Sequence, residues 1–89
     1  AASDVYKRQP QDRLAKRNRT IAARYYYWTE IKRRRFDDVM KILSDYEFFV
    51  GERTIQNALV DQDELLHSLL QQRPTTQKLA KQFPGFEWH

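Results

Sequence analysis

Glu52, Arg53, Thr54, Gln56 and Asn57 place several polar, forked hydrogen-bonding side chains within one short stretch. Groups of this kind can read base edges in a major groove: Arg forks onto guanine, and Gln or Asn onto adenine. To do so they must be held together on one side of a rigid element. The apolar residues around them supply one. Val50, Ile55 and Leu59 step by five and four, which at about 100° per residue gathers them on one face of a helix. Gly51 then occupies the N-cap position, and Glu52 in the first turn suits the positive end of the helix dipole. A helix is expected from Gly51 or Glu52 to about Val60, fed by a sharp turn at Phe48-Phe49-Val50.

No other set of residues assembles into a catalytic constellation. Outside the first nine residues the serines are Ser44 and Ser68, and the histidines are His67 and His89, with no His-x-x-x-His or Glu-x-x-His spacing. Asp37-Asp38 and Asp61-x-Asp63-Glu64 stand where helix starts attract carboxylates, so capping accounts for them better than a metal does. Gly51 and Gly85 are isolated, which leaves no phosphate-cradling loop. Tyr25-Tyr26-Tyr27 lacks the Arg/His cluster and the large scaffold that a tyrosine nucleophile needs. The expectation is a protein that is not an enzyme, with no catalytic residue, metal, cofactor or small-molecule substrate.

The chain has 89 residues, a net charge of +4 and no cysteine. Absence of cysteine excludes a disulfide framework and thiolate metal sites, and makes a reducing cytoplasm the expected setting. No apolar run approaches the ~20 residues of a membrane span. Charge is unevenly spread. Between Pro10 and Arg35, nine basic residues (Arg13, Lys16, Arg17, Arg19, Arg24, Lys32, Arg33, Arg34 and Arg35) face Asp12 and Glu30; between Phe36 and Leu70, Lys41 and Arg53 face eight acids. A basic element beside an acidic body suits a polyanion-facing surface, or a basic helix packed on an acidic one.

Residues 1–9, Ala-Ala-Ser-Asp-Val-Tyr-Lys-Arg-Gln, resemble the in-frame translation of a transposon-end adaptor used in sequencing-library preparation. They are read as a non-native leader and excluded from the fold. Residues 10–89 are then expected to form a single all-α domain, a small bundle of four to five helices. Leu14, Ile21, Tyr25, Trp28 and Ile31 give helical spacing over about Asp12 to Lys32, with Tyr26 and Tyr27 off that stripe as rim cover. Arg33-Arg34-Arg35 reads as a connection. A second helix follows from Asp37 to about Leu43, its inward face made of Phe36, Val39, Met40 and Leu43, and Ser44-Asp45-Tyr46-Glu47 reads as the turn after it. Leu65, Leu66, Leu69 and Leu70 stripe a fourth helix over Asp61 to Gln72, capped by Asp61 or Asp63 and ended at Arg73-Pro74. Thr75 or Thr76 caps a last helix to about Gln82, after which Phe86 and Trp88 fold back over the core.

The run Val50-Gly51-Glu52-Arg53-Thr54-Ile55, closed by Leu59, resembles the opening of the recognition helix in many bacterial helix-turn-helix regulators. That pattern carries Ser where this chain has Gly51, and a small residue and a tight Gly turn where Asp45 and Phe49 stand, so the turn should be longer or differently shaped. Arg24-Tyr25-Tyr26-Tyr27-Trp28 and Arg35-Phe36-Asp37-Asp38-Val39 extend the resemblance to small helix-turn-helix proteins of bacterial mobile elements and phages. The resemblance implies double-stranded DNA binding by a small transcriptional regulator or transposase-associated module. Glu52, Arg53, Thr54, Gln56 and Asn57 would face bases, and Arg17, Arg19, Lys32, Arg33, Arg34 and Arg35 would face phosphates. The alternative is a protein-interaction or assembly module that uses the basic first helix and the leucine stripe. That stripe could equally serve as a homodimer seam.

Overall fold

Ile21, Ala22, Ala23 and Arg24 are four consecutive residues, and all are buried. Successive side chains on a helix point about 100° apart, so no single face can hide all four. Their helix must be covered on more than one side, and the architecture follows from that. The computed structural model describes residues 10–88, with side chains from residue 13 onward; residues 1–9, expected to be a non-native leader, and His89 lie outside the described residues. Helix α1 (Pro10–Tyr26) continues through a π-helical turn over Tyr27–Ile31. Helix α2 (Phe36–Lys41) likewise continues as a π-helical segment over Ile42–Glu47, followed by α3 (Glu52–Asp61), α4 (Asp63–Gln72) and α5 (Thr76–Gln82). The fold is all-α, with no strand among the described residues.

Two cores flank α1. On one side Ile21 packs with Val39, Met40, Leu43, Ile55 and Ala58, joining α1 to α2 and α3. On the other, Ala23, Tyr26 and Tyr27 pack with Leu69, Leu79 and Trp88, joining it to α4, α5 and the C-terminal tail. This second core overturns the expectation that Tyr26 and Tyr27 cover a rim: they are 2% and 3% exposed. It also absorbs the leucine stripe, since Leu69 is buried and Leu65 and Leu66 pack beside it, leaving Leu70 as the more open member. Leu14, expected in the core, is half exposed, and its neighbours Arg13, Ala15 and Lys16 are exposed with it. Phe36 is also half exposed, resting edge-on against Tyr25.

The second helix does not stop at Leu43. It runs to Glu47, and the turn is Phe48 to Gly51. The buried Ser44 hydroxyl donates to the Val50 carbonyl and closes this turn. Three helix ends carry a non-glycine residue in the left-handed region, at Arg33 (φ 59°), Phe49 (φ 56°) and Arg73 (φ 47°). Glycine is the usual residue at such ends, because a Cβ is strained there. Gly51 caps α3 in extended conformation as expected, Thr75 caps α5 by accepting from the Lys78 amide, and Gln62 rather than Asp61 or Asp63 stands at the cap of α4.

Arg24, counted among the surface cations in the sequence, is 3% exposed and lies between the two cores. Its Nε donates to Glu47 Oε1 at 2.9 Å and its Nη2 to Glu47 Oε2, a bidentate pair, while Nη1 donates to the Glu87 carbonyl. Trp28 Nε1 donates to the same carboxylate at 3.0 Å. The guanidinium carbon sits 4.7 Å from the ring centres of Tyr27 and Trp88, with Phe86 and Trp28 slightly farther. Removing one partner of a buried pair strands the other charge, so Arg24→Leu should cost about 3–5 kcal/mol in urea unfolding. A loss below about 1 kcal/mol would show that the pair is dispensable. Phe49→Gly should instead gain about 0.5–1 kcal/mol, the relieved left-handed strain exceeding the added flexibility of the unfolded chain. A lower urea midpoint for this variant would contradict the strain argument.

Candidate nucleic-acid interface

Helix α3 seats Ile55 and Ala58 in the first core, with Leu59 and Thr54 half-buried at the margins. Glu52, Arg53, Gln56 and Asn57 are exposed on the opposite side, so four of the five expected base-facing residues share the open face. Thr54 sits toward the packed side. The open face also carries Val60, 76% exposed and seven residues after Arg53, which returns it to the same side of the helix. In the sequence Val60 stands only at the expected end of the helix, and its seven-residue spacing from Arg53 is the signal that sets it on this face.

Arg53 takes part in neither of the ion pairs found among the described residues, Arg24–Glu47 and Arg73–Glu30. Glu47 is committed to Arg24, and Asp61 accepts from Asn18 Nδ2 at 3.3 Å and from Gln62 Nε2 at 2.9 Å. Asp61 is thereby a link between α1 and the end of α3. Among the described residues no group of three or more acids and histidines is placed to hold a metal ion.

The expected phosphate-facing cations do not form one surface. Arg33, Arg34 and Arg35 are exposed in the connection that enters α2. Immediately after them, Asp37, Asp38 and Lys41 line a cleft of about 340 Å³ together with Glu52 and Gln56, so three carboxylates border the open face of α3. Lys32 and Arg34 line a second cleft beside Trp28, Arg24 and Glu87. Arg17 bonds its neighbour Asn18 at 3.2 Å, near the Asp61 end of α3. Arg19 lies elsewhere, in a cleft formed with α4 and the end of α5. The sequence places Arg17, Arg19 and Lys32 on the first helix and Arg33-Arg34-Arg35 in the connection after it; it does not say that α1 has two covered sides.

The turn before α3 adds a feature that residue types alone did not indicate. Tyr46 and Phe49 are 74% and 77% exposed, and Phe49 is one of the strained helix-end residues. The phenols of α1 offer no comparable surface. Burial pushes the Tyr25 and Tyr26 hydroxyls above their ordinary pKa; Glu30 adds to this at Tyr25, while at Tyr26 Arg73 opposes it and Glu30 adds a smaller push.

Comparison with sequence models of protein families, with curated proteins and with solved structures finds no match. Among the described residues, no helix is long and apolar enough to cross a membrane.

The raised tyrosine values fix the sign of an alkaline effect. The folded state holds these protons more tightly than the unfolded chain, so their contribution is complete below about pH 10 and is lost as pH rises through the folded value. Tyr26→Phe should therefore lose less stability between about pH 9 and 11 than the parent chain, measured by chemical unfolding across that range. Identical pH profiles would remove Tyr26 as a source of the alkaline loss.

Proposed function

We propose that the chain binds double-stranded DNA through the α2–turn–α3 unit, with α3 as the reading helix. This suits a small regulator or a transposase-associated module of a bacterial mobile element. One observation carries the proposal: a helix rooted by Ile55 and Ala58 presents Arg53, Gln56 and Asn57 together on its open face, with Arg33-Arg34-Arg35 at the entry to its partner helix. Arg53 then forks onto a guanine, and Gln56 or Asn57 onto an adenine. Val60 supplies an apolar contact suited to a thymine methyl. Arg33, Arg34 and Arg35 meet the backbone, with Arg17 a further candidate at the far end of α3.

The carboxylates of Asp37, Asp38 and Glu52 limit this docking. They repel phosphates, so the duplex must lie toward the Arg53 and Asn57 side of α3. The leucine stripe gives the interaction-module reading less surface to use, because most of it is spent against Tyr26 and Tyr27.

Fluorescence anisotropy of the full chain with duplex DNA, titrated over several salt concentrations, tests the proposal. Affinity should fall with salt at about 0.9 log units per log unit for each phosphate neutralised. Arg34→Ala should reduce that slope by about one and weaken all sequences alike, whereas Arg53→Ala should cost about 1–3 kcal/mol at a selected site and relax one base pair. Asp37→Asn with Asp38→Asn should tighten binding to every duplex. Absence of binding at low salt rejects the DNA reading.

A further inference from the structure

A cleft of about 330 Å³ opens between α1, α4 and the end of α5, on the side of α1 away from α2 and α3. Leu65, Phe83 and Pro84 give it apolar walls, and Lys16 and Arg19 stand with them in the lining. Neither cation belongs to the ion pairs found among the described residues, and no carboxylate lines the cleft. The remaining hydroxyl, Thr20 Oγ1, is spent donating to the Lys16 carbonyl at 2.9 Å. The cleft therefore offers two uncommitted positive donors against an apolar wall, at the small end of the volumes that hold small ligands.

We propose that this cleft is a binding site for a small amphipathic anion, an apolar body carrying one carboxylate. A purely apolar guest would gain nothing from the two cations. A compact inorganic anion would leave Leu65 and Phe83 uncovered. An aryl or alkyl carboxylate satisfies both at once, its head accepting charge-assisted hydrogen bonds from Lys16 and Arg19 and its body covering the wall. The site is also joined to the tail. The Phe83 carbonyl accepts from Trp88 Nε1 at 3.0 Å, and the two rings stand 6.2 Å apart. A guest against Phe83 braces α5 on α1 and is felt at Trp88. Arg19 thus acquires a role in place of the expected phosphate contact, and the proposal is independent of DNA binding.

The test uses 4-phenylbutyrate and its uncharged analogue 4-phenylbutanol, titrated into the full chain and followed by NMR shifts of Leu65, Phe83 and the Trp88 indole N–H. The expected result is saturable binding of the carboxylate at these residues, with the alcohol about tenfold weaker. Lys16→Gln and Arg19→Gln should each weaken the carboxylate several-fold and leave the alcohol unchanged. Both residues are exposed, and matching melting curves of the unliganded variants verify that folding is intact. Equal affinity for acid and alcohol, indifference to both substitutions, or no saturation at Leu65 and Phe83 would overturn the proposal.

Discussion

A guanidinium removed from water must find a carboxylate and hydrogen-bond acceptors for its donors, or the fold loses more than it gains. Arg24 meets that requirement with acceptors from two distant parts of the chain. Its fork needs Glu47 at the end of the second helix, and its remaining arm needs the Glu87 carbonyl of the tail. Trp28, one turn further along α1, donates to the same Glu47 carboxylate. The aromatic rings around the guanidinium attract it by their negative faces while excluding water. Lysine could not substitute, since a point charge offers neither the planar fork nor the stacking surface. The positions of α1, the end of α2 and the tail are thereby tied to one another.

That tie explains the length of the second helix. Glu47 has to reach Arg24, so the chain stays helical through Ser44-Asp45-Tyr46 despite their polarity, and it widens to π-helical spacing on the way. The widening is closed by the Phe48 amide donating to the Leu43 carbonyl at 2.9 Å. Phe49 must then reverse the chain in the left-handed region. Ser44 holds the returning strand by the Val50 carbonyl, and α3 starts at once from Gly51. The open face of α3 is aimed by this sequence of constraints as much as by Ile55 and Ala58.

The helical elements and their faces were legible where the apolar spacing was regular, as in Ile55 and Leu59 or in Leu65, Leu66 and Leu69, although Leu70 of the same stripe is exposed. The end of the second helix was less so: the chain stays helical to Glu47 and reverses at Phe49, where a glycine would have marked a stop, whereas the ends near Lys32 and at Gln72 lie where the sequence puts them. Gly51 stands at the cap that the sequence indicates, and of the two candidates Thr75 and Thr76 it is Thr75 that caps α5. Periodicity assigns one inward face to each helix, and for α1 that assumption failed. Tyr26 and Tyr27 fell outside the first stripe because they belong to a second one, facing α4 and α5. Residue type misled at Arg24, since nothing local separates a buried arginine from an exposed one; its partner is 23 residues away. At the candidate interface, the polar set on α3 was visible in the spacing. The neighbouring acids were visible as residues but not as neighbours of Gln56, which depends on how α2 crosses α3.

The two-sided core also changes what the basic half of the sequence can do. Arg24 is internal, Arg73 pairs with Glu30, and Lys16 and Arg19 lie against α4 and α5 rather than beside α3. The cations left near the open face of α3 are chiefly those of the Arg33-Arg34-Arg35 connection, and three carboxylates border that face. Under the DNA-binding proposal, a duplex docked there would meet a modest phosphate clamp, because the nonspecific term grows with the number of phosphates neutralised. Base-edge contacts from Arg53, Gln56 and Asn57 would then have to supply a larger share of the affinity. Weak attraction to arbitrary DNA with strong dependence on a few side chains is a route to selectivity, since a protein discriminates by the difference between two affinities rather than by either one.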